Sequence, residues 1–241
     1  MLPDGLDSGH GGLCVTTTRL TAQMRWFARL GFRTIALDTV AHLLDNGLPV
    51  PPRRFVITFD DGYLDTLTYA VPVLERFGFT ATVFVVPGLV GDTNSWDRGR
   101  FAPAELMRWD QLAGLRRRGF SIGSHTMSHV SLTRLQPDEV WWELSASRRT
   151  LQERLEIEVR AFCYPWGDWA PWVAELVSTA GYSLACDDVG RTSNARFVMA
   201  RTDPTYWWPW LTPLVRSHRW YFRVQRSPAL RQVVAAVRRS A

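Results

Sequence analysis

What most constrains this chain is an alternation running through most of its length: short β-branched or apolar stretches separated by segments of helical period. Residues 17–30 place Leu20, Met24, Phe27 and Leu30 at helical spacing, with Thr17 or Thr18 as the cap and Gly31 as the stop. Residues 32–37 predict a strand, and Asp38 is expected to cap a short helix ending near Gly47. Residues 54–59 read as one strand running straight into Asp60-Asp61-Gly62, followed by a helix over 65–77 and a strand over 80–86. The stretch 87–103, with its Gly, Pro and Asn, reads as a long loop, and long loops in compact domains are often functional. Helices over 110–118, 138–155 and 170–180 then alternate with strands over 120–123, 161–164, 182–186 and 197–201. Strands separated by helices imply parallel βαβ units, so the prediction is an α/β barrel or open sheet. Active sites of such sheets form at the carboxyl ends of the strands, and that is where this chain puts its polar clusters.

Three clusters stand out. Thr58-Phe59-Asp60-Asp61-Gly62-Tyr63 closes a strand. Taken alone, Asp-Asp-Gly is an ordinary turn. In a site, two consecutive carboxylates at a strand end diverge, one reaching a metal and the other a substrate water. Ser124-His125-Thr126-Met127-Ser128-His129 carries two histidines four apart just after a strand. In a helical turn that spacing sets both imidazoles on one side, ready for a single metal; the other reading is a pair of capping or surface histidines. A zinc-protease helix would carry Glu directly after the first His, but Thr126 stands there, so a base must come from elsewhere and Asp60 is the obvious supplier. Phe162-Cys163-Tyr164-Pro165-Trp166-Gly167 ends the next strand; it reads as a Pro/Gly turn, or as a rigid turn presenting the Trp166 N–H to a developing oxyanion.

In this order the three strings resemble the polysaccharide deacetylase family of carbohydrate esterases, also called the nodulation deacetylase homology domain. The first two match its motifs in full, the third looks like its variant third motif, and the similarity runs over about residues 17–201. The resemblance implies a distorted (β/α) barrel of about seven strands. It implies a divalent cation, zinc first with cobalt or nickel as alternatives, held by Asp61, His125 and His129, with Asp60 as general base. Tyr63, Tyr164 and Trp169 are expected to contact a glycan bearing N-acetylated sugars, and Trp166 to serve catalysis. The implied reaction is hydrolytic removal of N-acetyl groups from an amino-sugar polysaccharide or lipid-linked glycan. O-acetyl ester hydrolysis of the xylan type, or glycan binding without catalysis, are the alternatives. Against the family's usual pattern, Met199-Ala200-Arg201-Thr202-Asp203 at the last strand carries no His to act as acid, so either Asp60 returns its own proton or the activity is low. An Arg that orients the base in many members is replaced by Cys163, and Arg160 faces elsewhere. Residues 1–16 supply no convincing opening strand, so the expectation is either a barrel without its first strand or a true start upstream of Met1.

Composition bounds the rest. At 241 residues and 46% apolar content the chain is long enough for one such domain, expected over 1–203, followed by an extension over 204–241. All 28 basic residues are Arg, and the extension holds seven of them with no Asp or Glu, so the slightly acidic body disfavours nucleic acid. The extension, with Trp220, Tyr221 and Phe222 among its arginines, is a candidate for peripheral membrane contact; no obligate protein partner is evident. Three widely spaced cysteines predict reduced, buried thiols. The opening residues lack the basic and apolar segments of a secretory leader, which predicts a cytoplasmic protein as the sequence is written, a prediction that changes if the true start lies upstream.

Overall fold

In the computed structural model, residues 15–189 and 194–201 are described. The extension over 204–241, with its predicted membrane contact, and the expected missing strand before residue 15 therefore lie outside the described residues. Helix α1 (Thr17–Arg29) is capped by Thr16, one residue ahead of the expected cap, whose hydroxyl accepts from the Arg19 N–H. Strand β1 (Arg33–Thr34) leads into α2 (Leu37–Asp45), whose N-cap is Ala36 without a side-chain bond. Asp38 sits inside the first turn instead of capping it. There it still opposes the positive end of the helix dipole.

The expected single strand over 54–59 is two strands with different partners. β2 (Arg54–Phe55) pairs in parallel with β1 as a small two-stranded sheet. β3 (Thr58–Phe59) pairs in parallel with β4 (Thr82–Val85). Extended backbone offers hydrogen bonds to either side, so one β-branched run can serve two sheets by exchanging partners at Val56 and Ile57, and periodicity does not see the exchange. The helix expected over 65–77 likewise begins as a π-turn (Thr66–Ala70) before becoming α3 (Val71–Arg76).

From β3 onward the predicted elements follow in order, α4 (Trp109–Arg117), β5 (Ser121–Ser124), α5 (Pro137–Leu155), β6 (Ala161–Cys163), α6 (Pro171–Thr179) and β7 (Leu184–Val189), then a short β8 (Asn194–Ala195) that the sequence pattern does not predict, and β9 (Val198–Arg201). The seven-stranded sheet runs β3-β4-β5-β6-β7-β9-β8, parallel throughout except for β8, which folds back antiparallel on β9. This curled sheet of six parallel strands with helices is the distorted (β/α) barrel expected.

Strands β4 and β5 are buried at every position, as parallel strands covered on both faces must be. On one face Val83, Val85, Ile122 and Phe162 meet the helices through Leu74, Leu112, Leu144 and Val177. On the other, Phe84, Ala161, Cys163, Leu184 and Cys186 pack with Leu37, Val40 and Ala41 of α2. The Phe84 ring lies so close over Gly123 that a Cβ there would overlap it, which accounts for glycine in the middle of β5. Cys163 and Cys186, opposite each other on β6 and β7, are free and buried as expected.

Candidate active site

Because β3, β4, β5 and β6 are successive parallel neighbours, their carboxyl ends open on the same side and bring the three clusters together. Each cluster departs from regular structure as its strand ends. Asp61 takes φ 70° ahead of Gly62, Thr126 and His129 take φ 64° and 58°, and Trp166 takes φ 61°. Non-glycine residues held in this region are uncommon and concentrate at functional sites. The two histidines thus do not share a helical turn. They converge from an irregular loop in which the Thr126 hydroxyl accepts from the His129 N–H at 3.0 Å.

Asp61 Oδ1 lies 3.3 Å from His125 Nε2 and 3.1 Å from His129 Nε2, and all three residues are screened from solvent. His125 Nδ1 lies 2.8 Å from the Cys163 carbonyl, which can only accept, so Nδ1 carries the proton and Nε2 presents its lone pair. His129 is wedged between Trp96, stacked at 4.2 Å, and Trp166, edge-on at 4.7 Å. Asp61 Oδ1 is buried with no hydrogen-bond donor. One carboxylate oxygen and two imidazole Nε2 atoms, converging from three points of the chain, form the donor set of a cation site. Tetrahedral zinc, with bonds of about 2.0–2.2 Å to N and O, separates neighbouring ligand atoms by about 3.3 Å, close to the spacing here. A second group, Asp60, His125 and Cys163, fits less well: Asp60 is claimed by an arginine, and burial pushes the Cys163 thiol well up, away from the thiolate a metal needs.

Burial raises the Asp61 carboxyl, but the two imidazoles outweigh it and hold its pKa below the ordinary range. Burial also drives His129 down, past the pull of Asp61, toward the neutral form a metal requires. His125 is raised against the same burial, since it faces Asp61, Asp60 and the Cys163 carbonyl.

The residue that sequence reasoning missed is Arg201. Its Nη1 and Nη2 donate to the two Asp60 oxygens at 2.6 and 2.7 Å, a bidentate pair. Nε donates to the Asp187 carbonyl and Nη1 also reaches Thr58 Oγ1, so the guanidinium is fixed from both sides. Burial raises the Asp60 carboxyl, yet the Arg201 charge and hydrogen bonds bring it below the usual range. Arginine at the carboxyl end of the last parallel strand was a legible signal, in the same place on its strand as the other clusters. The strand pairing that brings β9 round to β3 was not.

Of the expected glycan contacts, Tyr63 lies beside the site with its ring 6.4 Å from Trp96, and burial together with the Asp61 charge pushes its hydroxyl far up. Tyr164 is corrected: it is 1% exposed, packed on Phe162, and its hydroxyl donates to the Phe197 carbonyl, so it belongs to the core. Trp169 is half-buried, and its indole N–H donates to Asp187 at 3.0 Å. Trp166 is 47% exposed and walls a cavity of about 510 Å³ lined also by Arg100, Ser131, Thr133, Arg134 and Asp168. Trp141 and Trp142 both lie on the exposed face of α5.

The family model for polysaccharide deacetylases matches residues 47–185, which takes in all three clusters. The chain belongs to the polysaccharide deacetylase family. It is 25% identical over 177 residues to YxkH of Bacillus subtilis, covering 73% of this chain and 60% of that protein. It is 24% identical over 205 residues to the poly-beta-1,6-N-acetyl-D-glucosamine N-deacetylase of Escherichia coli, covering 71% of this chain and 30% of that one. The chain thus spans less than two thirds of these relatives' length. Among solved structures, the Streptococcus pyogenes deacetylase PplD in complex with acetate is similar at TM-score 0.70 and 23% identity, over 83% of this chain and 87% of that one. IcaB from Ammonifex degensii is similar at TM-score 0.67 and 23% identity, over 83% and 88%. Both show the same fold.

Proposed function

We propose that this protein is a metal-dependent hydrolase removing N-acetyl groups from an amino-sugar polysaccharide or lipid-linked glycan. The observation that carries the reading is a division of labour between adjacent carboxylates: Asp61 converges with two imidazole Nε2 atoms, while Asp60 is held by Arg201. Asp61, His125 and His129 are the proposed ligands, and a divalent cation there supplies Lewis-acid activation of water and of the acetyl carbonyl. Asp60, kept ionised by Arg201, accepts the proton of the attacking water. The N–H of Trp166, whose indole packs edge-on against His129, is the proposed donor to the oxyanion formed at the acetyl oxygen. As the C–N bond breaks, Asp60 returns its proton to the leaving amine. Tyr63 and the exposed face of Trp166 are the proposed sugar contacts, with the 510 Å³ cavity leaving room for neighbouring sugars.

The test is acetate release from N-acetylglucosamine oligomers and O-acetylated xylo-oligomers, with and without added zinc or cobalt. Metal-dependent release from the N-acetylated set, abolished by Asp60→Asn, is expected. Release from the xylo-oligomers alone replaces the amidase by an esterase, and turnover that survives Asp60→Asn overturns the mechanism.

A further inference from the structure

We infer that Glu143 is a positioning residue for the two histidines, clamping the 125–129 loop in its ligating shape before any cation arrives. The inference rests on the metal reading of Asp61, His125 and His129, and concerns a residue on a different element, helix α5.

Glu143 is 5% exposed, on the inward side of α5. A carboxylate is costly to bury unless its oxygens are fully hydrogen-bonded. Its hydrogen-bond donors are two of the three residues between the histidines, Met127 and Ser128. Glu143 Oε2 accepts from the Met127 N–H at 2.7 Å and the Ser128 N–H at 3.1 Å, while Oε1 accepts from the Ser128 hydroxyl at 2.5 Å. One acceptor-only group thus serves three donors of a single dipeptide.

That dipeptide needs a clamp. It is flanked by two side-chain-bearing residues in the left-handed region, Thr126 at φ 64° and His129 at φ 58°, and for β-branched threonine this backbone is especially unfavourable. On the other side of the loop the Met127 carbonyl accepts from the Gly88 N–H at 3.0 Å, and there is no room there for a Cβ on residue 88. The His125 N–H is tied to the Val85 carbonyl and the His129 N–H to Thr126 Oγ1. The loop is therefore anchored from β4, from its own threonine and from α5, and its strained segment relies on Glu143 for both amides at its centre.

The experiment uses the full chain and zinc alone, without substrate. Zinc affinity is read by competition with a chromophoric chelator, and the amides of Met127, Ser128 and His129 are followed by hydrogen exchange in the metal-free protein. Glu143→Leu is expected to weaken zinc binding about 10–100-fold, the usual effect of losing a partner that orients metal ligands, and to expose those amides. Glu143→Gln, whose amide oxygen still accepts from both N–H groups, is expected to recover most of the affinity. Leu151→Ala, a core truncation on the same helix, is the control for general destabilisation: it lowers Tm and leaves zinc affinity unchanged. If Glu143→Leu does not fold, Ser128→Ala, which removes only the hydroxyl donor, carries the test with a smaller loss in the same direction. Unchanged zinc affinity in these variants, an equal loss in Leu151→Ala, or amides protected in the wild type only after zinc is added, each overturns the positioning role. A wild-type chain that takes up no zinc overturns the metal reading and this inference with it. Zinc uptake without acetate release leaves this inference standing and rejects the deacetylase.

Discussion

Replacing Arg201 by Ala keeps the Asp60 carboxylate itself and removes what aims it. The guanidinium makes two charge-assisted bonds to the carboxylate, at 2.6 and 2.7 Å, with Arg201 15% and Asp60 33% exposed. Hydrogen bonds to charged groups contribute about 1.5–3 kcal/mol each. Because Asp60 is partly solvated, water takes over some of that, and the lower end, about 3 kcal/mol for the pair, is the reasonable figure. A misplacement of about 1 Å in a catalytic group costs about 10²-fold in rate. At 1.36 kcal/mol per decade, that corresponds to the same 3 kcal/mol. Arg201→Ala should therefore lower kcat/KM for acetate release about 10²-fold at saturating metal. Arg201→Lys, which keeps the charge but not the fork, should fall in between. Without Arg201 the Asp60 carboxyl rises, so the acid limb of the pH–rate profile should move to higher pH. Asp60→Asn should cost about 10²–10⁴-fold, and the double variant little more than Asp60→Asn alone, since Arg201 acts only through Asp60. Additive losses in the double variant, or an Arg201→Ala enzyme with wild-type kcat/KM and an unmoved acid limb, would refute the orienting role.

Chelation should abolish turnover and zinc should restore it; His125→Ala and His129→Ala should each lose metal in the chelator competition while keeping the far-UV circular dichroism of the fold. Burial holds the Cys163 thiol well up and pushes Cys186 up to about 12, so both should resist a thiol reagent at pH 8 until the protein is unfolded; rapid labelling of either in the native state contradicts the packing of β6 against β7. Gly123→Ala forces a methyl into the Phe84 ring and should cost about 1–3 kcal/mol in denaturant unfolding. Burial pushes the Tyr182 phenol up from 10.0 to about 12. The unfolded chain therefore releases this proton first, and stability should fall by at most about 3 kcal/mol as pH rises through that window. Tyr182→Phe should flatten that stretch of the stability curve.

Most of the strand and helix pattern was legible in the sequence, because a parallel sheet covered on both faces imposes short apolar strands, helical periods between them and glycine stops. The clusters were legible for a related reason: Asp60, Asp61, His125, His129 and Trp166 lie at or just beyond strand ends, and the chain places them there in order. Misreadings came where local pattern carries no partner information. Residues 54–59 are equally good β-formers whether they join one sheet or two, and only the partner change at Val56 and Ile57 separates β2 from β3. Tyr164 sits in a motif beside the site, but its side chain turns inward to Phe162 and the Phe197 carbonyl.

By itself, the sequence determined which residue types stand at the ends of which strands, since that information is local: a β-branched run, a pair of carboxylates, two histidines four apart. The tertiary structure alone decided who meets whom. Arg201 is 141 residues from Asp60, and only the curl that carries β9 round toward β3 closes that distance. Glu143 reads as one more acidic position on a polar helix until α5 packs beneath the 125–129 loop and turns it into the acceptor for Met127 and Ser128. Both contacts join segments with no common period or spacing. Their energy comes from desolvated charge meeting its complement across the fold, which residue order along a chain does not encode locally.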